Sequence, residues 1–157
     1  MKLGRLDVQV SGNRVVLVGR IDDSVALGEL AAQLPPGALV LDTAGVSFVN
    51  SLGMREWIRF TRALAARGQP VTLAAVADVM MTQMNLIPEL RKTVQIASFH
   101  AQYACPGCGA EATPLIDAVA HRAELRSLSP PRVPCEECGA PMALADFPER
   151  YLMIFSD

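Results

Sequence analysis

The chain has 157 residues, of which 51% are hydrophobic and 19% charged, and its formal net charge is −2. That is enough apolar material for one ordinary domain, alone or with a small appendage, and the near-neutral balance makes no strong electrostatic offer to nucleic acid or to an anionic membrane. No apolar run approaches the ~18 residues of a membrane helix, and MKLGRLDVQV has no apolar block followed by a small-residue cleavage site, so a soluble, cytoplasmic protein without a membrane partner is expected.

Charge and cysteine content divide the chain into residues 1–99 and residues 100–157. The first part carries 10 Lys+Arg, 8 Asp+Glu and no cysteine; the second carries 4 Lys+Arg, 8 Asp+Glu and all four cysteines. In the first part, LDVQVSGNRVVLVGRI places two apolar runs around Ser11-Gly12-Asn13 and predicts a hairpin. DSVALGELAAQLPPG sets Leu27, Leu30, Ala31 and Leu34 on one helical stripe, with Asp23 or Ser24 as cap and Pro35-Pro36-Gly37 as stop. ALVLDT reads as a short buried strand. The helix after Ser51 turns Met54, Trp57, Ile58 and Thr61 inward, with Leu64 or Ala65 continuing the stripe, while Arg55, Arg59 and Arg62 lie on a different face and Gly68 ends it. PVTLAAV is a strand. ADVMMTQMNLIPEL is a short helix capped by Asp78, on which Met80 and Met81 point different ways. KTVQIASF is a last strand. The order β-β-α-β-α-β-α-β predicts an α/β domain with helices packed on a mixed sheet.

The stretch FVNSLGMREW puts two good N-cap residues, Asn50 and Ser51, before the longest helix. Either can simply cap. Alternatively, Ser51 is exposed at the strand-to-helix turn and receives a phosphate, whose charge a helix N-terminus tolerates. Arg55 lies one turn on and can approach such a group.

Residues 5–99 resemble a STAS domain, the fold of anti-sigma factor antagonists. The likeness rests on VVLVGRIDD running into a helix, on LVLDTAGVSFVNSLGMREWI, and on GQPVTLAAV followed by a short helix. In that family the loop after the third strand reads approximately Asp-Ser-Ser-Gly-Leu, and a partner kinase phosphorylates its first serine. Here Ser51 takes the place of the phosphoacceptor and Gly53 that of the glycine, whereas Asn50 replaces the acidic residue and Leu52 the second serine. The resemblance implies a signalling module that binds a protein partner, an anti-sigma factor or serine kinase, through Asn50, Ser51, Gly53, Met54, Arg55 and Arg59, with phosphorylation of Ser51 as a switch.

The second part is dominated by two cysteine pairs, CPGCG from Cys105 and CEECG from Cys135. Cys105, Cys108, Cys135 and Cys138 offer four thiolates in two knuckles, the donor set of tetrahedral Zn2+. The 26 residues between Cys108 and Cys135 leave room for a strand near EATPLID and a helix near AVAHRAELRSL. A redox dithiol and an iron–sulfur cluster use the same residue type, but paired knuckles favour zinc. Four cysteines would close the coordination sphere, giving a structural metal with no open position for catalysis. His121 is then a surface helix residue. This part resembles a zinc ribbon. Its net charge of −4 disfavours phosphate contacts. The apolar tail from Tyr151 to Phe155 is expected to pair as a strand and so make one compact unit.

No catalytic constellation stands out. The two histidines, His100 and His121, flank no nucleophile, the segment DTAGVSFVNSLG lacks the lysine and spacing of a phosphate-binding loop, and Asp22 and Asp42 read as turn or cap residues. A non-enzymatic interaction module is therefore expected. The alternative is a zinc-ribbon nucleic-acid-binding or transcription-associated factor built on an α/β platform.

Overall fold

The computed structural model of the protein describes residues 1–156. Its main sheet has six strands in sequential order: β1 (Lys2–Leu3), β2 (Leu6–Ser11), β3 (Arg14–Ile21), β4 (Leu39–Val49), β5 (Val71–Ala74) and β6 (Gln95–Ile96). The first three are antiparallel neighbours, and β3 through β6 run parallel. Parallel neighbours need crossovers, and the chain supplies α1 (Leu27–Leu30) with a 3-10 turn at Ala31–Gln33, then α2 (Ser51–Ala66), then α3 (Asp78–Met84). The expected alternation of strands and helices is present, with β1 added in front.

Period-two patterning explains which face of the sheet is covered. Val15, Leu41 and Leu73 are aligned across β3, β4 and β5 and are buried, whereas the intervening Val16, Asp42 and Thr72 are only partly covered. The helical stripe of the first helix also holds, since Leu27, Leu30, Ala31 and Leu34 are all buried. Its expected caps do not. The N-cap position is Ala26, and the nearby hydroxyl of Ser24 instead donates to Asp22 at 2.6 Å. Strand β4 runs six residues beyond Thr43, because two register shifts against β3 absorb the irregular stretch that hides its alternation in sequence.

Helix α2 buries Gly53, Met54, Trp57, Phe60, Thr61 and Leu64. Phe60, not Ile58, is the fully buried neighbour of Trp57, with ring centroids 5.8 Å apart. In α3, Met80, Met81 and Met84 are all fully buried, so the successive methionines do not divide between core and solvent. The helix packs against β4 and against the strand at Ser98–His100, and the C-terminal tail bonds its two ends at Asp78 and Asn85.

The remaining chain folds around the cysteines. Strand β7 (Ser98–His100) pairs antiparallel with β10 (Leu115–Asp117). A four-stranded sheet has the order β11 (Val133–Pro134), β12 (Pro141–Leu144), β8 (Tyr103–Ala104) and β9 (Glu111–Ala112). Helix α4 (Arg122–Arg126) lies between the two cysteine pairs, and His121 is its N-cap residue, partly exposed and 3.3 Å from Glu124. The strand and helix expected in this interval are thus both present.

The tail is helical, not extended: α5 (Pro148–Tyr151) is followed by a 3-10 turn at Met153–Phe155. Pro148 at the first helical position suits this start. The expected docking nevertheless occurs. The Ile154 N–H donates to Asn85 Oδ1 at 2.9 Å, and the Phe155 ring lies 5.1 Å from that of Phe99. The Tyr151 hydroxyl bonds the Asp78 carboxylate, whose other oxygen accepts from Gln102 Nε2 at 3.1 Å. Buried apolar residues of both parts form a single core, and the division at residues 99 and 100 falls inside β7. Among the described residues no helix is long and apolar enough to cross a membrane.

Candidate functional sites: a four-cysteine cluster and the start of α2

Each cysteine pair is built by the same local turn. Gly109 N–H donates to Cys105 O at 2.9 Å, and Cys105 N–H donates to Ala110 O at 2.8 Å. In the second turn Gly139 N–H donates to Cys135 O, and Cys135 N–H to Ala140 O, both at 2.8 Å. Both glycines sit at φ +78°, a left-handed conformation in which any side chain is strained. The hairpins β8–β9 and β11–β12 carry the two turns, and the pairing of β8 with β12 sets them face to face.

The result is one cluster. Cys105 Sγ lies 3.5 Å from Cys138 Sγ, Cys108 Sγ lies 3.7 Å from Cys135 Sγ, and all four sulfurs are within 4.8 Å of one another. These separations are far longer than a disulfide bond of about 2.05 Å, and all four thiols are free. They match a tetrahedral cation. Metal–sulfur bonds of about 2.3 Å imply sulfur–sulfur edges of about 3.8 Å. Cys105 and Cys135 are buried and Cys108 and Cys138 exposed, so the cluster has one side in the core and one at the surface.

Without a cation the four groups cannot all ionise. The backbone N–H of Cys108, opposed by desolvation, pulls the Cys105 thiol down to about 7. The Ala110 N–H pulls Cys108 the same way, but the neighbouring Cys138 sulfur, burial and Cys135 outweigh it and push that thiol up to about 12. Cys138 is also raised; the lowering effect of the Ala140 N–H is outweighed mainly by Cys105. One thiolate thus discourages the next, and a bound divalent cation would remove that conflict. The cluster can hold a metal, and its donors are those expected from the sequence.

The second site is the entry to α2. Asn50 is the N-cap residue, and its Oδ1 accepts from the Gly53 N–H at 2.8 Å. Ser51 is therefore released from capping and stands exposed at the first helical position. Next to it Leu52 is 50% exposed. Arg55 and Arg59 are exposed on the same helix, and Arg59 pairs with Glu56 at 2.9 Å.

Gly53 and Met54, expected as partner contacts, are buried. A Cβ on Gly53 would stand 1.8 Å from the Ile21 carbonyl oxygen, so this glycine lets α2 begin directly against the end of β3. Met54 is 4% exposed and belongs to the core. These two residues position the helix, and of the side chains at its start Ser51, Leu52, Arg55 and Arg59 are exposed and Asn50 partly so.

Sequence reading missed the opposite wall. An open groove of about 470 Å³ lies between Asp23–Glu29 and α2, with Val25, Ala26 and Gly28 facing Leu52, Arg55 and Arg59. The available signal was Gly28, a glycine inside a helical pattern; an added Cβ there would lie 3.6 Å from Arg59 Cβ, which marks where α1 approaches α2. Asp22, beneath this groove, is held below the usual carboxylate range by hydrogen bonds from the Ser24 hydroxyl and N–H, which outweigh desolvation, with Arg20 and Arg5 adding to them. Asp42 instead pairs with Arg14 at 2.8 Å, so the two aspartates serve separate structural roles.

Set against protein-family models and curated proteins, the chain matches none of either.

Proposed function

We propose that this protein is a non-enzymatic, STAS-like signalling module that docks a protein partner on the groove between α1 and α2, and that its cysteine cluster binds Zn2+ as a structural ribbon. The observation that carries the docking reading is the exposed pair Ser51–Leu52 at the start of α2. Asn50 does the capping, which leaves the serine hydroxyl free for another task. Leu52 supplies an apolar contact beside it, and Arg55 and Arg59 border the groove.

Phosphorylation of Ser51 would place a charge of roughly −1.5 to −2 at this entrance. The helix N-terminus tolerates that charge, and Arg55, one turn on, is in position to pair with it. The same charge beside Leu52 raises the desolvation cost of covering the groove, so the modified and unmodified forms favour different partners. A serine kinase or anti-sigma factor is the proposed class of partner. Four thiolates and a closed coordination sphere support zinc in a structural role.

Affinity capture with wild type, Ser51→Ala and Ser51→Asp, with the intact mass of the bait recorded, tests this reading. Expected is a partner retained by Ser51→Ala and lost by Ser51→Asp, together with a phosphorylated fraction in wild type only. Identical partners for all three baits, with Ser51 never modified, would remove the switch.

A further inference from the structure

A second cavity, of about 500 Å³, opens where the two parts of the chain meet. It shares no lining residue with the α1–α2 groove. Its size lies within the range of small-molecule sites. The apolar lining is provided by Val94 and Ile96 from one part and by Ile154 and Phe155 of the tail from the other. Three arginines, Arg91, Arg122 and Arg126, also line it, and no carboxylate does among the described residues. This arrangement stands out because residues 100–157 are acidic, with a net charge of −4. Two of that part's four basic residues nevertheless point to this one cavity.

The arginines approach from two directions. Arg122 and Arg126 stand four residues apart on α4, so their Cβ atoms are about 5–6 Å apart and both forks can reach one anion. Arg91 comes from the 3-10 turn at Pro88–Lys92. One of its donors is bound to the Ser156 carbonyl, which ties it to the rim while other guanidinium N–H groups remain. Arg122 forms no hydrogen bond or ion pair among the described residues.

We propose that this cavity binds a small organic phosphate, a phosphate monoester attached to an apolar or aromatic body. Arg122, with the unused donors of Arg91 and Arg126, each of which already holds a partner, matches the charge and three terminal oxygens of a monoester better than the single charge and two oxygens of a carboxylate. The apolar lining takes the body of the ligand, which inorganic phosphate lacks. Because the walls come from both parts of the chain, a bound ligand also clamps the junction. A nucleotide and a lipid-like ester both present this chemistry.

Titration calorimetry on the full chain, with adenosine monophosphate, octyl phosphate, inorganic phosphate and octanoate as separate probes, tests the site. Expected is saturable binding of at least one of the two esters, at least about tenfold tighter than inorganic phosphate or octanoate; which ester it is distinguishes a nucleotide source from a lipid-like one. Arg122→Ala is expected to weaken that binding by about tenfold or more, Arg122→Lys by less, and Arg62→Ala, an exposed residue of α2, not at all. Saturable heat from neither ester, or an Arg122→Ala protein that binds like wild type, overturns the proposal and leaves the arginines as clasps on the tail.

Discussion

The two parts of this chain reach order by different means. The sheet and helices up to β6 bury large apolar side chains in periodic register, including Leu6, Leu17, Leu41, Trp57, Phe60 and Leu73. The segment from Tyr103 to Leu144 has strands of two to four residues. It has few buried apolar side chains of its own, and its two turns converge on sulfur atoms. A strand that short gains little from hydrogen bonding alone. The first region is held by the hydrophobic effect; the second has four sulfurs placed to hold a cation, and contacts with its neighbour. The junction between them is therefore the most informative place to perturb.

The largest expected effect comes from the metal. Structural zinc contributes about 10–16 kcal/mol to the folding of finger-like units. Chelation, or Cys135→Ser, is expected to abolish hydrogen-exchange protection in β8, β9, β11 and β12 while β3, β4 and β5 stay protected. Equal loss in both regions would show that the ribbon and sheet fold as one cooperative unit.

Truncating the core of the first region comes next. Phe60→Ala is expected to cost about 3–5 kcal/mol, seen as a lower denaturation midpoint, with metal stoichiometry unchanged in the folded fraction. At the junction, Tyr151→Phe removes a donor to a carboxylate and is expected to cost about 1.5–3 kcal/mol. Its signature is faster exchange in α3 and the tail before either region opens globally. The smallest effect in this series belongs to the entrance of α2. Asn50→Ala removes the cap and is expected to cost about 1 kcal/mol, whereas Asn50→Asp retains the acceptor and should be close to neutral. Thermal unfolding resolves these two variants if the capping geometry is as described.

What could be read from sequence also divides along this line. The order of strands and helices was legible because each element carries its own period. The four cysteines were legible because spacing and residue type state their chemistry locally. Strand β4 was read too short, since its two register shifts against β3 break the alternation after Asp42. Phe60, fully buried, was overlooked, and Ile58, placed inward, lies at the margin of the buried face, partly buried against the core. Both Met80 and Met81 are buried where only one was expected, and the bond between Asp78 and Tyr151 joins residues more than seventy positions apart. No local pattern encodes such a meeting. The tail's helix did have a signal, Pro148 followed by Glu149 at a helix start, which its apolar composition obscured. The α1–α2 groove and the arginine-lined cavity are properties of packing, visible only once the elements are in place.

The central claim is that the face beside Ser51 receives a protein. Its most direct measurement is quantitative capture of partners by three baits: wild type, Leu52→Glu and Leu86→Glu. Both leucines are exposed, Leu86 at 70% and Leu52 at 50%, but only Leu52 borders the groove. The account predicts a partner that Leu52→Glu loses and Leu86→Glu keeps in full. A partner retained equally by both variants, or lost only with Leu86→Glu, would contradict it.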